Sequence, residues 1–154
     1  MSETTENPSQ DYSLLSGLEF LQGLYEGRID RPPMAKLLPF ELGAPQKGSI
    51  EMTATPEEGF LNTLRSVHGA WAMTMLDTSM NLAAHSTLKP GEIAPSLETS
   101  VKFVRPIQVI HGQLRITGNV ISRGNSIITL EGSITSPEGK VYAHGTSTCM
   151  VVRI

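Results

Sequence analysis

The run from Val67 to Ala84 contains only two ionisable side chains, His68 and Asp77, among Trp71, Met73, Met75, Leu76, Met80, Leu82 and several alanines. A helix this apolar nearly all round belongs inside a protein rather than on its surface. Its Thr, Ser and Asn positions, with Asp77 near the middle, argue against a membrane span. The run therefore predicts the central helix of a core. Burial disfavours the charged form of a carboxylate, and an acid kept in such a place is a candidate for acid/base or nucleophilic chemistry. The alternative is that Asp77 merely hydrogen-bonds Thr74, Thr78 or Asn81.

The rest of the chain supplies what covers that helix. Residues 1–11 are polar and acidic and predict a disordered tail. Leu14, Leu15, Leu18, Leu21, Leu24 and Tyr25 recur at helical spacing, with Gly27 as a stop. After Arg31-Pro32-Pro33, segments 36–44 and 47–55 read as two strands, and 56–66 as a loop. Beyond Lys89-Pro90-Gly91, segments 95–105, 108–121, 126–136 and 140–153 alternate with period two and are rich in Val, Ile and Thr. Turns at Arg105-Pro106, Arg123-Gly124-Asn125 and Pro137-Glu138-Gly139 separate them. Four such strands predict an antiparallel meander that must cover one face, and the apolar helix is the element able to do so. The fold class is α+β, with residues 12–154 as one domain.

A chain of 154 residues can build one core. The net charge of −3 hides an asymmetry, because the basic excess lies in the second half, on residues such as Lys102, Arg105, Arg115 and Arg123. These do not cluster with aromatics as a nucleic-acid surface would, although a few could meet a phosphorylated small ligand. The single cysteine, Cys149, sits in an apolar strand-like run and reads as a buried, inert thiol. No secretory signal and no membrane span is evident, so a reducing cytoplasm is the expected location. His85, His111 and His144 are too far apart to suggest a metal site, and no cofactor is implied.

A strand pair, a loop, a long buried helix, an antiparallel sheet to wrap it and the pattern His-Gly-(x)7-Asp over His68-Gly69 to Asp77 together resemble the hotdog-fold thioesterases, specifically the PaaI-like group that hydrolyses acyl-CoA. The resemblance spans about residues 36–153. It implies that Asp77 is the catalytic carboxylate, that Asn62, six places before His68, belongs to the site, and that Ser96, ten places before Pro106, is the further hydroxyl some members use. Where the family usually has His-Gly-Gly, this chain has His68-Gly69-Ala70. Ala70 keeps a backbone N–H and a small side chain, so the oxyanion site is expected to survive. Unpaired N–H groups at a helix start suit a developing oxyanion, and Gly69 permits close approach.

Gly69 and Asp77 are separated by about 12 Å on one helix at 1.5 Å per residue, too far to act on one carbonyl. Either Asp77 is unrelated to the oxyanion site or Gly69 of one subunit works with Asp77 of another. The resemblance implies the second, a homodimer or a tetramer of two dimers, with Asp77 and Ser96 coming from the protomer opposite Gly69. Asp77 could attack the carbonyl or activate water. His68 can equally be a backbone-bonded residue at the helix start, and Ser96 an ordinary hydroxyl at a strand start. Arg105 and Arg123, at strand ends beside turns, are candidates for the CoA phosphates. The leading reading is a thioesterase acting on a hydrophobic acyl- or aryl-CoA, with neither nucleic acid nor membrane as partner. A non-catalytic acyl-CoA-binding module and a hotdog hydratase or dehydratase are the alternatives.

Overall fold

The structure, a computed structural model, describes residues 12–154; the tail expected over 1–11 lies outside the described residues. A 3-10 turn over Tyr12–Leu14 leads into helix α1 (Gly17–Tyr25). Its start is fixed by a capping box, in which Ser16 Oγ accepts from the Glu19 N–H and the Glu19 carboxylate accepts from the Ser16 N–H. Segment 36–44 is not one strand. Pro33 opens a short helix, α2 (Pro33–Leu37), because proline fits the first helical turn, and only Glu41–Leu42 remains as strand β1. Strand β2 follows (Ser49–Ala54), then the loop and helix α3 (Gly69–His85).

The second half supplies β3 (Glu92–Ile93), β4 (Ser96–Phe103), β5 (Leu114–Arg123), β6 (Ile127–Thr135), β7 (Val141–Met150) and β8 (Val152–Arg153). Six strands form one antiparallel sheet in the order β1-β2-β5-β6-β7-β4. Only β5, β6 and β7 are a true meander. β4 pairs with β7 rather than with its chain neighbour β5 and so becomes an outer edge. Residues 108–113 are not strand, since a 3-10 turn occupies Val109–His111.

Helix α3 lies across this sheet with Trp71, Met75, Leu76 and Met80 buried against Ile50, Met52, Leu114, Ile116, Ile128 and Leu130. Glycine permits the close approach. Gly118, Gly132 and Gly145 are cross-strand neighbours on β5, β6 and β7, and a Cβ on Gly118 would stand 2.2 Å from the Ser79 carbonyl oxygen. The expectation of a fully buried helix is corrected on one side. Ala70, Met73, Thr74, Asp77, Thr78 and Asn81 recur at helical spacing and are exposed or half-buried, so α3 keeps a stripe that the sheet does not fully cover. No helix among the described residues is long and apolar enough to cross a membrane.

Candidate active site

Two groups of candidate residues lie along α3. At its start, His68 has extended backbone angles and its Nδ1 accepts the Ala70 N–H at 3.0 Å, so its ring proton sits on Nε2. Its own N–H donates to the Phe60 carbonyl at 2.7 Å. The expectation for Ala70 needs correction, because its N–H is taken by His68 and is not free for an oxyanion. The Gly69 N–H, one residue earlier, has no acceptor among the described residues. A Cβ on Gly69 would lie 3.1 Å from Phe103 Cζ, so glycine here lets an aromatic ring rest against the backbone.

Asn62 organises the loop before this turn. Its Oδ1 accepts from the Leu64 N–H at 2.9 Å and the Ser66 N–H at 3.2 Å, while its Nδ2 donates to Ser66 Oγ at 2.9 Å. This clasp carries Arg65 through a left-handed conformation, φ 61°. Asn62 makes no hydrogen bond to His68 or Gly69. Its reach to the helix start is through the loop it closes.

The second group surrounds Asp77, which is half-buried on the open stripe. None of Thr74, Thr78 and Asn81 hydrogen-bonds it. Thr74 turns back to the Ala70 carbonyl, and Asn81 Nδ2 donates to the Ala94 carbonyl at 3.2 Å. Instead Oδ1 accepts from Thr99 Oγ1 at 2.8 Å and from Ser96 Oγ at a long 3.4 Å. No hydrogen bond reaches the other oxygen, Oδ2, among the described residues.

Thr99 is the residue that sequence reasoning missed. Ser96 and Thr99 are three apart, which in a regular strand puts them on opposite faces. A bulge at Leu97 lets two steps of β4 oppose one step of β7, with Ser96 opposite Cys149 and Glu98 opposite Thr148. That extra residue returns both hydroxyls to the Asp77 face. Deeper in, Thr99 Oγ1 lies 3.1 Å from Ser147 Oγ, which donates to the Glu98 carbonyl at 2.8 Å. Cys149 is buried nearby. Burial pushes its thiol up, and the Asp77 charge adds in the same direction, which keeps it an unreactive thiol.

Two cavities border the open stripe. One, of about 120 Å³, lies between α1, α2 and α3 and is lined chiefly by Leu24, Met34, Leu38, Phe40, Met75 and Leu82, with Thr74 and Thr78 also in its wall. The other is an open cleft at the start of α3 that joins Gly69, Phe103, Arg105 and Tyr142. Arg105 gives one N–H to the Val141 carbonyl at 2.6 Å and remains exposed. Arg123 lies beyond the opposite end of α3, where it pairs with Glu92 at 3.3 Å and donates to Thr87 Oγ1 at 3.2 Å and to the Gly124 carbonyl. Within one protomer the two arginines are therefore not brought together, and Arg123 is already engaged.

A model of the thioesterase superfamily matches residues 64–143, the stretch that holds Gly69, Asp77, Ser96 and Thr99. The chain belongs to the thioesterase superfamily. It is a thioester hydrolase. Among solved structures, a phenylacetic acid degradation-related protein from Ralstonia eutropha JMP134 is 28% identical, with a TM-score of 0.76 over 83% of this chain and 96% of that one. The Escherichia coli PaaI protein of the phenylacetic acid degradation operon is 23% identical, with a TM-score of 0.74 over 91% and 96%. A Streptococcus mutans UA159 protein solved with acetyl CoA is 23% identical, with a TM-score of 0.68 over 74% and 89%. These share the antiparallel sheet and long helix of the hotdog fold. No curated protein matches the chain by sequence.

Proposed function

We propose that this thioesterase hydrolyses an acyl-CoA with a hydrophobic acyl or aryl group, at a site completed by a second copy of the chain. The observation that carries the reading is Asp77, a carboxylate held at Oδ1 by Thr99 and open at Oδ2, on the stripe of α3 whose Thr74 and Thr78 line an apolar cavity. A cavity of about 120 Å³ is comparable with the roughly 150 Å³ void that accepts benzene in an engineered core, so an aryl or short branched group fits it. The relatives support the same class, one being described by phenylacetic acid degradation and another holding acetyl CoA.

Gly69 offers the free N–H for the thioester oxyanion, His68 fixes that turn by capping, and Asn62 closes the loop leading to it. Asp77 supplies the attacking carboxylate or the base for water, with Ser96 beside it. The partner brings the two groups together. β4 is an outer edge with one side unpaired, and edge-to-edge joining of two copies would continue the sheet and set the open stripes against each other's loops. Arg105 lines the cleft at Gly69 and can meet a CoA phosphate from there.

The test is a panel of CoA esters, from acetyl to phenylacetyl and longer acyl groups, scored by release of free thiol. Hydrolysis with a preference for aryl or medium apolar groups is expected. Binding without thiol release across the panel would make the chain a CoA-ester-binding module. Addition of water to an enoyl-CoA with the thioester intact would make it a hydratase, a role for which Asp77 has hydroxyl rather than imidazole partners.

A further inference from the structure

Helix α3 leaves one large apolar side chain exposed, Met73, at 44%. It stands midway between Gly69 and Asp77, four positions from each. That place acquires a meaning once Gly69 of one copy serves the carbonyl attacked from Asp77 of another. In a symmetric pair the same contact must hold in reverse, with Asp77 of the first copy against the partner's Gly69. Parallel helices could satisfy one of these contacts and not the other. The two α3 helices therefore run antiparallel, with the two-fold axis beside the midpoint, and Met73 lies against the partner's Met73. The same reversal sets positions before Gly69 beside positions beyond Asp77. Leu64 lies five residues before Gly69, and Leu82, in the wall of the apolar cavity, lies five beyond Asp77. The turn that carries Leu64 is compact, because the Asn62 N–H donates to the Ser66 carbonyl at 2.8 Å and the Arg65 N–H to the Asn62 carbonyl at 3.0 Å. It adds little length beyond the helix start and meets the partner's α3 at the turns that give Thr78 and Leu82 to the cavity wall.

We propose that Leu64 of each copy closes the apolar cavity of the other and sets which acyl groups it admits, in a pair whose two-fold axis passes at Met73. The proposal rests on the reading of the site as one completed by a second copy. Leu64 is 85% exposed, and isolated exposed leucines are ordinary on a surface. What distinguishes this one is how it is held. Its N–H donates to Asn62 Oδ1 at 2.9 Å, and the next residue, Arg65, is kept in the left-handed region at φ 61°. A side-chain clasp and a strained residue thus present the leucine in one place rather than on a loose tip. The cavity has the matching character. Thr74, Thr78 and Leu82 follow one another every fourth residue along one flank of α3, and in a single copy the rest of the wall comes from α1, α2, β1 and the chain between them. The loop that carries Leu64 takes no part in its own copy's cavity. An apolar acyl group seated there gains from a second apolar surface over the mouth, since burial of its remaining area and exclusion of water act in the same direction.

Leu64→Ala should lower kcat/KM for the best apolar ester of the panel about tenfold and that for acetyl-CoA about twofold or less, the low end of what a lost contact in an apolar pocket is worth. Leu64→Trp, which crowds the mouth, should reject the larger ester and keep acetyl-CoA. Equal changes on both esters, or none on either, overturn the proposal. Hybrids co-expressed with two affinity tags and purified through both show whose leucine acts. A chain carrying Leu64→Trp together with Asp77→Asn, paired with wild type, keeps one working centre, in which the carboxylate is wild-type and position 64 is the variant's; it should show the narrowed preference. Leu64→Trp paired with Asp77→Asn keeps a centre with an intact Leu64 and should show the wild-type preference. The reverse pattern assigns Leu64 to its own copy's site and overturns the proposal. Met73→Cys should be joined to the partner by a short bis-maleimide, whereas the wild-type chain, whose single Cys149 is buried, should not. A folded dimer of Met73→Cys that is not joined overturns the two-fold position. Turnover that survives in Asp77→Ala overturns the reading of the site itself, whereas turnover lost there with an acyl preference unmoved by both Leu64 variants overturns only the assignment of Leu64.

Discussion

The first turn of α3 and its middle carry complementary chemistry, and neither carries both parts. The first turn has a free N–H at Gly69, the positive end of a helix and no acid within hydrogen-bonding reach. The middle has a carboxylate with one oxygen held and one open, and no unpaired backbone donor, since N–H groups there belong to the helix. Helix geometry keeps the two about 12 Å apart in any single copy. On the function proposed above, the helix serves two active centres at once, each completed by another chain.

The most severe way to break that comparison is to remove the acid. Asp77→Ala is expected to fold and to lower thioester turnover by roughly 10²- to 10⁴-fold, the contribution of a positioned base. Asp77→Asn, which keeps the shape and loses basicity, should be nearly as poor. A folded Asp77→Ala protein that keeps most of its turnover would remove the middle of α3 from the chemistry.

The cross-copy division is sharpened by complementation. Gly69→Val places a branched side chain where a bare Cβ already meets Phe103 at 3.1 Å, and it should be inactive through crowding at the N–H. Mixed with Asp77→Ala after reversible dissociation, random pairing restores one intact centre in half of the dimers, roughly a quarter of wild-type activity. No recovery in hybrids verified by mass would return both half-sites to one chain. Sedimentation should accordingly show a dimer or larger species at assay concentrations, and an active monomer would contradict it.

The half-sites differ in how far they can be read from the sequence. The first turn is local: His68, Gly69 and Ala70 are consecutive, and a helix start dictates which N–H groups lack partners. Even so, the capping bond from His68 Nδ1 is invisible in the sequence, and it decides that Gly69 rather than Ala70 keeps a free donor. The middle depends on residues far apart in the chain. Ser96 and Thr99 share the Asp77 face only because of a bulge at Leu97, and single-residue bulges leave no periodic trace. The edge position of β4 escapes the sequence for a related reason. Alternation identifies a strand and not its neighbour, so four successive strands read as a meander although the first pairs with the last. Pro33 reads as a break in the sequence and opens a helix in the structure, because the good helix formers Met34, Ala35, Lys36 and Leu37 come directly after it.

A smaller effect distinguishes the two hydroxyls at Asp77. Ser96 lies at 3.4 Å and is exposed, whereas Thr99 lies at 2.8 Å and is half-buried. Ser96→Ala should reduce kcat by about tenfold or less, the worth of one ordinary hydrogen bond. A loss as large as that of Asp77→Ala would mean that Ser96 contacts the substrate or the water directly.

The smallest effects come from the two arginines, which again contrast the ends of α3. Arg105 shares the cleft of Gly69, has one N–H fixed on the Val141 carbonyl and presents the rest of its guanidinium to solvent. An exposed pairing with a phosphate contributes little, so Arg105→Ala should raise KM for CoA esters by about fivefold or less and leave kcat unchanged. Salt should weaken binding less in the variant than in the wild type, and a short thioester lacking the nucleotide should be hydrolysed almost as before. Equal losses on both substrates would point to damage in the fold. Arg123 should behave differently, because its guanidinium is held by Glu92, Thr87 and the Gly124 carbonyl. Arg123→Ala leaves the Glu92 carboxylate with only the Lys89 N–H, and the cost should appear as about 1 kcal/mol of stability in a denaturant titration, with KM unmoved. If instead Arg123→Ala raises KM for CoA esters and spares the short thioester, the far end of α3 also meets the nucleotide, and in a dimer that nucleotide would belong to the partner's substrate.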